Sequence, residues 1–582
     1  MIQRYLLRWE GNFNRMPEWV RELDEAVIRS IAKQHLAPEL PSPLDEGSLD
    51  VSFFTEGAFN KLYLISYAGH HTEYIFRVSL PVEPYFKTES EVATLAFLGS
   101  KSSIPVARVV AWDSNSDNEL GFEWTLMERV NGVTLQSVWR EMSWQGKLVL
   151  TAEVARMIKH LRDITFDRIG SLYFESALTE ELDKRNKGGY GKDGSLSEAR
   201  EQQDVRGFEA STRPITNSLF QVQDTDDTIQ AQKTQAEAVA ASEKIHNDKG
   251  EEFQEKETSK KEAFGIPRRT SPPKRIDHNN LGGFVIGPLF DRIFFMDDRV
   301  YLPGDRGPYE SSQEMLRAEV DMQLEWIMNG RSIMHSKSLL AEAGYCEDDF
   351  EQEAPTIEAV SHAFLDILPQ ICRHEGREQA FTLEHHDLNA SNILVDPTSY
   401  KITGVVDWEM TCLVPSWMAS GHPVFLQDID LSTSDEIEPP IPSYEHEHDE
   451  DIDSEEETAI MERDRWESKH LRGHFDSTMN ALTVDDDGFV ADDDWEAETK
   501  RNFKRFAWEL TENTSWSADW LKEYHAGIGG LEPNVRQNIS EAEVEKLIAE
   551  RKFRQGHAAS ADNFGLADAD NGSEHADSSL DS

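Results

Sequence analysis

Residues 385–392 read His385-His386-Asp387-Leu388-Asn389-Ala390-Ser391-Asn392, a His-x-Asp-x-x-x-x-Asn skeleton, and Ile393-Leu394-Val395-Asp396 follows. Downstream, Thr403-Gly404-Val405-Val406-Asp407-Trp408-Glu409 is a short apolar run that ends in an acid. Moving a phosphoryl group to a hydroxyl needs a carboxylate that takes or orients the hydroxyl proton. It also needs oxygen ligands for the Mg2+ that bridges the phosphates. An Asp and an Asn five residues apart, on a loop entering a strand, can supply both. A strand over 392–395, a turn over 396–400 and a strand over 401–406 predict a hairpin whose open end brings Asn392 to Asp407. Singly, Asp387 reads as a turn residue, Asn392 as a cap and Asp407 as a strand end. Together, at hairpin spacing, they read as a base and two metal ligands.

The elements that must position these groups are legible in the periodicity. Residues 51–55, 61–67 and 74–79 are rich in β-branched and aromatic residues and read as strands. Residues 85–98 follow with Val92, Leu95, Ala96 and Leu98 at helical spacing, and 105–112 and 123–128 read as strands again. The order is three strands, a helix and two strands. Residues 143–166 turn helical, as do 311–328, 356–372 and 494–524, and residues 1–50 read as two short helical pieces that include 17–35.

Two segments break this pattern. Residues 176–280 are dense in Lys, Glu, Gln, Asp and Ser and offer little apolar surface to offset their ordering entropy. They read as a disordered insertion, with a transient helix over 230–244. Residues 428–462 hold many acids and no Lys or Arg, a composition that stays solvated. The chain therefore divides into an N-terminal extension (1–50), a strand-rich unit (51–130), a first helical part (131–175), the insertion (176–280), a part with the catalytic and metal-binding loops (281–427), an acidic disordered segment (428–465), C-terminal helices (466–555) and a disordered tail (556–582).

The motifs at 385–392 and 406–409 resemble those of the aminoglycoside phosphotransferase and choline kinase family, and the stretches 169–174 and 284–308 resemble its fungal members. One departure is His386 where the family places Gly; another is Leu413-Val414-Pro415 in place of a Gly-Asp-Pro-like stretch. The resemblance spans 50–175 and 281–427. It implies an α+β, two-lobed protein-kinase-like fold: a small antiparallel β-sheet lobe with one helix (51–130) and a larger, mainly helical lobe, carrying long disordered insertions. Carried over residue by residue, it makes Asp387 the catalytic base, His385 the support of its loop, and Asn392 and Asp407 the Mg2+ ligands. Gly57 and Lys61 lie in the stretch matching the nucleotide-covering loop. Arg77 stands where the family's phosphate-binding Lys stands, and can grip phosphate bidentately. Glu91, with Glu89 as the alternative, matches its helix partner. The backbone from Glu128 to Val130 matches the hinge that meets adenine. ATP and Mg2+ are the implied cofactors, and a small molecule with a hydroxyl is the implied substrate.

Composition sets the outer bounds. A formal charge of −51 repels nucleic acid phosphates and anionic membranes, so no nucleic-acid partner is expected. No run approaches the length of a membrane span. Cys346, Cys372 and Cys412 form no C-x-x-C pair, which fits a reducing compartment. A cytoplasmic location is the default, and likeness to fungal mitochondrial members through the 56–61 loop makes the mitochondrion the alternative. Two function classes follow: an active kinase of small molecules, or a catalytically idle kinase-like scaffold that binds protein partners through its charged insertions.

Overall fold

Val51, Tyr63, Ile65, Phe76, Val78, Trp124 and Leu126 form one face of a twisted sheet, because side chains alternate across a strand and these occupy matching positions. The computed structural model describes residues 7–10, 16–39, 49–67, 71–187, 211–212, 274–275, 283–333, 347–373, 380–419, 421–426, 437–444, 454–483, 495–511 and 513–525. Within them, β3 (Leu49–Glu56), β4 (Asn60–Tyr67), β5 (Tyr74–Ser79), β6 (Val109–Asp113) and β7 (Glu123–Glu128) pair antiparallel. With β12 (Lys274–Arg275) on the edge beyond β6, they make a six-stranded sheet of order β12-β6-β7-β5-β4-β3. The outer face is covered by the N-terminal extension, which corrects one expectation. Its first piece is a strand pair, β1 (Leu7–Glu10) and β2 (Met16–Trp19), and only the second, α1 (Glu25–Leu36), is helical. Bulky Trp9 and Trp19 favour the strand here, and the Trp19 ring lies 5.2 Å from that of Phe122.

The inner face carries α2 (Phe86–Lys101), almost wholly buried along its length. Its N-cap, Tyr85, has φ 76° and contributes no capping side chain. Glu123 of β7 caps the helix instead: Oε1 accepts from Tyr85 N–H (2.8 Å) and Oε2 from Thr88 O–H (2.6 Å). Burial pushes the Glu123 carboxyl up to about 8, against these two hydrogen bonds.

Gly132, at φ +141°, turns the chain into the second lobe; a Cβ there would lie 2.4 Å from Thr403 Oγ1. Next come β8 (Val133–Thr134), α3 (Leu135–Val138) and α4 (Trp144–Arg162). The expected helix over 143–166 stops at Arg162, because Ile164-Thr165-Phe166 is β-branched and aromatic and forms β9 (Ile164–Phe166). A four-stranded sheet then joins β11 (Ser211–Thr212), β9, β14 (Phe381–Glu384) and β17 (Cys412–Pro415) in that order. A three-stranded one joins β16 (Ile402–Val405), β15 (Ile393–Val395) and β8.

Residues 171–174 and 284–287 pair with each other. β10 (Ser171–Phe174) runs antiparallel to β13 (Phe284–Gly287), Ser171 facing Gly287 and Phe174 facing Phe284. The chain thus leaves for the insertion and returns from it at one place. The insertion also begins later than composition suggests: α5 (Glu175–Lys187) runs on from β10, with Ala177 and Leu178 buried. The remainder of this lobe is α6 (Ser312–Ile333), α7 (Glu347–Ile371), α9 (Trp495–Trp508) and α10 (Thr514–His525), packed around Phe364, Phe503 and Trp520. Between α7 and α9 in sequence, α8 (Ser454–Leu482) lies along α4. It starts inside the segment read as acidic and disordered. Glu455, Glu456 and Glu457 occupy its first turn, where exposed backbone N–H groups favour negative charge, and Lys147–Glu467 (2.5 Å) ties it down. The expected helix at 230–244, most of the insertion and the tail lie outside the described residues.

Candidate active site

The loop 385–392 is held by its own side chains. Asn389 Oδ1 accepts from Ser391 N–H (2.8 Å), Ser391 O–H (2.6 Å) and Asn392 N–H (3.1 Å), the kind of local turn Asn forms readily. The two amides then clamp the exposed Asp387. Asn389 Nδ2 donates to Oδ1 (2.8 Å), and Asn392 Nδ2 donates to Oδ2 (3.0 Å) and to the Asp387 carbonyl (2.8 Å). The carboxylate is therefore fixed at the tip of the loop, facing solvent.

His385 lies buried beneath it, its ring 4.6 Å from that of Trp408. Asp387 N–H donates to Nδ1 (3.2 Å), so the ring proton sits on Nε2 and points at the Val406 carbonyl (3.0 Å). One neutral imidazole thus ties the base loop to the strand that leads to Asp407. Burial pushes its pKa down to about 4, against the pull of Val406 and Asp387.

The hairpin has the register needed to join the two acids. Ile393 pairs with Val405, and Val406 N–H donates to the Asn392 carbonyl (3.0 Å), so Asp407 comes one residue beyond the position facing Asn392. Asp407 adopts φ 63°, a strained conformation for a residue with a side chain. Its side chain is 36% exposed and Oδ1 accepts from Arg77 Nη2 (3.1 Å).

Arg77 is buried on the inner face of β5 and meets three carboxylates. Nη1 bonds Glu91 of α2, while Nη2 reaches Asp407 and Glu409 Oε2 (2.6 Å). Glu91 is thus the helix partner. Glu89 faces elsewhere, accepting from Trp112 Nε1 (3.1 Å) and Ser114 O–H (2.5 Å). Burial disfavours charge on Arg77, but the three acids outweigh it and raise its pKa. Burial and the adjacent Glu409 raise Asp407 to about 7, against Arg77. Burial also acts to raise Glu409, but Lys87 and Arg77 hold it near 2.

Lys87 is the residue the sequence reading missed. Buried on α2, it lies 2.6 Å from Glu409 Oε2 and donates to Asn60 Oδ1 (2.7 Å). Its signal was available: it precedes Glu91 by four residues, so both share one face of the helix. Lys61, expected near the phosphates, is not brought to this cluster. It pairs across from Val78, on the opposite face from Arg77, where it meets Glu56 (3.4 Å) and lies over the Trp19 ring. Gly57 sits at the exposed tip between β3 and β4, where an added Cβ meets nothing within 4 Å. At the hinge, Glu128 N–H donates to the Arg108 carbonyl and Arg129 N–H to the Glu73 carbonyl (2.9 Å each). Val130 continues to Gly132 and packs against Gly404.

The donor set can be tested against Mg2+. Among the described residues there is no group of three or more His, Cys, Asp and Glu able to hold a metal by themselves. Asn392 and Asp407 offer two oxygens instead, which suits a cation that takes the rest of its shell from phosphates and water. Arg77 and Lys87 oppose Glu91, Asp407 and Glu409, leaving one excess negative charge when all are ionised. That too suits a cation. The residues fit.

Beside the 385–392 loop, His386, Leu388, Glu384, Arg162 and His422 line a shallow, solvent-open cleft. Burial pushes Glu384 up to about 8, against Arg162 and Lys504. The rim residue His422 bonds Asp476 of α8 (2.9 Å).

Residues 50–214 and 324–417 match the family described as "Phosphotransferase enzyme family". The base loop, the hairpin and the cluster around Arg77 all lie within them. A subtelomeric hrmA-associated cluster protein of Aspergillus fumigatus is 25% identical over 65% of this chain and 60% of its own length. This chain therefore spans less than two thirds of that relative. The mitochondrial protein "Altered inheritance of mitochondria protein 9" of Debaryomyces hansenii is 33% identical over 21% of each chain. Among solved structures, an ethanolamine kinase of Plasmodium vivax matches at 12% identity and TM-score 0.31, covering 89% of this chain and 91% of its own. No helix among the described residues is long and apolar enough to cross a membrane.

Proposed function

We propose that this chain is an ATP- and Mg2+-dependent phosphotransferase that moves the γ-phosphoryl group to a hydroxyl of a small molecule. The observation that carries the reading is the continuity of the site. The amide of Asn392 clamps the Asp387 carboxylate, while its backbone carbonyl bonds Val406, one residue before Asp407. In the transfer, Asp387 receives the acceptor's proton as the hydroxyl oxygen bonds to γ-phosphorus and the bond to the β-phosphate oxygen breaks, releasing ADP. Asn389 and His385 hold Asp387 in place for that step. Asn392 Oδ1 and Asp407 would hold Mg2+, which when bound neutralises charge on the phosphates. Arg77 faces the same phosphates. The Glu128 carbonyl and Val130 N–H are the hinge groups for adenine, since the N–H groups of Glu128 and Arg129 are already engaged. The cleft by His386 and Leu388 is the nearest concavity for the acceptor. The mitochondrial names of some relatives support that compartment.

A second reading, a kinase-like scaffold without turnover, draws on one observation. Arg77 and Lys87 are already neutralised by the chain's own carboxylates. The test is melting temperature with and without excess Mg·ATP, on the natural protein and on Asp407→Ala, followed by Asp387→Asn. A ligand at about 100 times its Kd adds about 2.7 kcal/mol. The kinase reading requires a Mg2+-dependent rise that Asp407→Ala loses, and turnover that Asp387→Asn abolishes while still binding nucleotide. Binding with no turnover on any hydroxyl acceptor would favour the scaffold; no rise at all would end the kinase reading.

A further inference from the structure

One oxygen of Glu409 sits where three donors converge. Oε2 accepts from Arg77 Nη2 (2.6 Å) and Asn60 Nδ2 (3.0 Å) and lies 2.6 Å from Lys87 Nζ. A guanidinium, an ammonium and an amide aimed at one anionic oxygen are the surroundings a phosphate oxygen seeks. Lys87 is itself held on that line by Asn60 Oδ1 and, more loosely, by Ser79 Oγ (3.4 Å). Stability alone gives little reason for the arrangement, since a buried ion pair is commonly matched or bettered by apolar side chains of similar volume. The segment that carries Glu409 is also strained. Asp407 at φ 63° and Met410 at φ 58° both adopt left-handed backbone conformations that residues with side chains rarely take. The carboxylate thus fills its seat from a conformation that another anion would help it leave.

We propose that Arg77 and Lys87 form a single seat for a phosphate oxygen, and that Glu409 occupies this seat until a polyphosphate ligand displaces it. The inference rests on the nucleotide-binding reading above and adds two residues to it: Lys87 as a phosphate ligand and Glu409 as an internal competitor. A competitor and a ligand respond oppositely to removal. Loss of Lys87 weakens polyphosphate binding, whereas loss of the Glu409 charge strengthens it. Neither change touches the base.

The experiment is calorimetric titration of the full chain with Mg·ATP, adenosine and inorganic tripolyphosphate. Lys87→Met is expected to weaken Mg·ATP about tenfold or more, the loss of one charge-assisted contact, with adenosine unchanged. Glu409→Gln is expected to tighten both Mg·ATP and tripolyphosphate. The double variant Lys87→Met/Glu409→Gln removes both members of the buried pair, so it guards against misfolding; its Mg·ATP affinity should fall below that of Glu409→Gln. The proposal is overturned if Lys87→Met binds Mg·ATP as the natural protein does, if the double variant binds it as Glu409→Gln does, or if Glu409→Gln weakens binding. Tripolyphosphate binding that Lys87→Met loses, without any binding of ATP, would uphold the seat and sink the nucleotide reading. Binding of neither would sink both.

Discussion

Replacing Arg77 by Met should be among the most damaging changes in the N-terminal lobe. Its guanidinium lies 2.6 Å from Glu409 and 3.1 Å from Asp407, and also bonds Glu91. At an effective dielectric near 20, each measured contact is worth about 5–6 kcal/mol of gross attraction. Desolvation and repulsion among the three acids offset most of it. What survives is the cost of leaving the acids with Lys87 alone, about 3–5 kcal/mol for a broken buried pair. Across a chain of this size that is a fall in melting temperature of roughly 2–4 °C. Glu91→Gln in the same background removes one of the stranded charges, so the double variant should recover at least about 1 kcal/mol relative to the sum of the singles. Thermal melts of the four proteins in low salt at pH 7.5 measure this. A melting temperature within about 1 °C of the natural protein for Arg77→Met, or strict additivity with Glu91→Gln, would refute the cluster as described.

The neutral His385 predicts an acid-side instability. Its folded pKa, about 4, lies below the usual 6.5, so its contribution is complete above pH 6.5 and is lost as pH falls through 4, to a ceiling of about 3 kcal/mol. The gap in stability between the natural protein and His385→Gln should therefore shrink from pH 7 to pH 4; a constant gap would show that the ring titrates normally. The two loop glycines should differ. Gly132→Ala should cost about 2–4 kcal/mol in a melt, because φ +141° and contacts at 2.4 and 2.9 Å leave no room. Gly57→Ala should stay within about 0.5 kcal/mol, and a larger loss would give that glycine a role its open surroundings do not suggest.

The sequence displayed the hairpin of the candidate site because it is local: the strands that carry Asn392 and lead to Asp407 are joined by a turn, and a turn is written in neighbouring residues. The strands of the small lobe were legible for the same reason. Lys87 and the role of Glu409 were not, because their contact spans more than three hundred residues and depends on how α2 faces the hairpin. Lys61 misled because it is a cation near a glycine loop, while strand alternation decides its face, and one residue of register separates it from Leu62, which lies opposite Arg77. The acidic stretch misled through composition. Charge repulsion argued for a solvated coil, but three Glu in one helical turn meet unpaired N–H groups, and the buried Ile460, Arg463 and Trp466 that follow give the helix a face to pack.

The pairing of β10 with β13 has a consequence for how this chain tolerates change. Two adjacent strands act as the jaws of a bracket, and the chain between Phe174 and Phe284 is clamped at both ends whatever it contains. Closing a longer span costs little, about 0.6 kcal/mol for each doubling of length. One jaw bears directly on the strand that follows Asp407, since Gly170 and Leu413 exchange backbone hydrogen bonds at 2.8 and 3.3 Å. The chain between Phe174 and Phe284 is therefore joined at both ends to a strand pair whose neighbour Gly170 bonds β17 beside the candidate site.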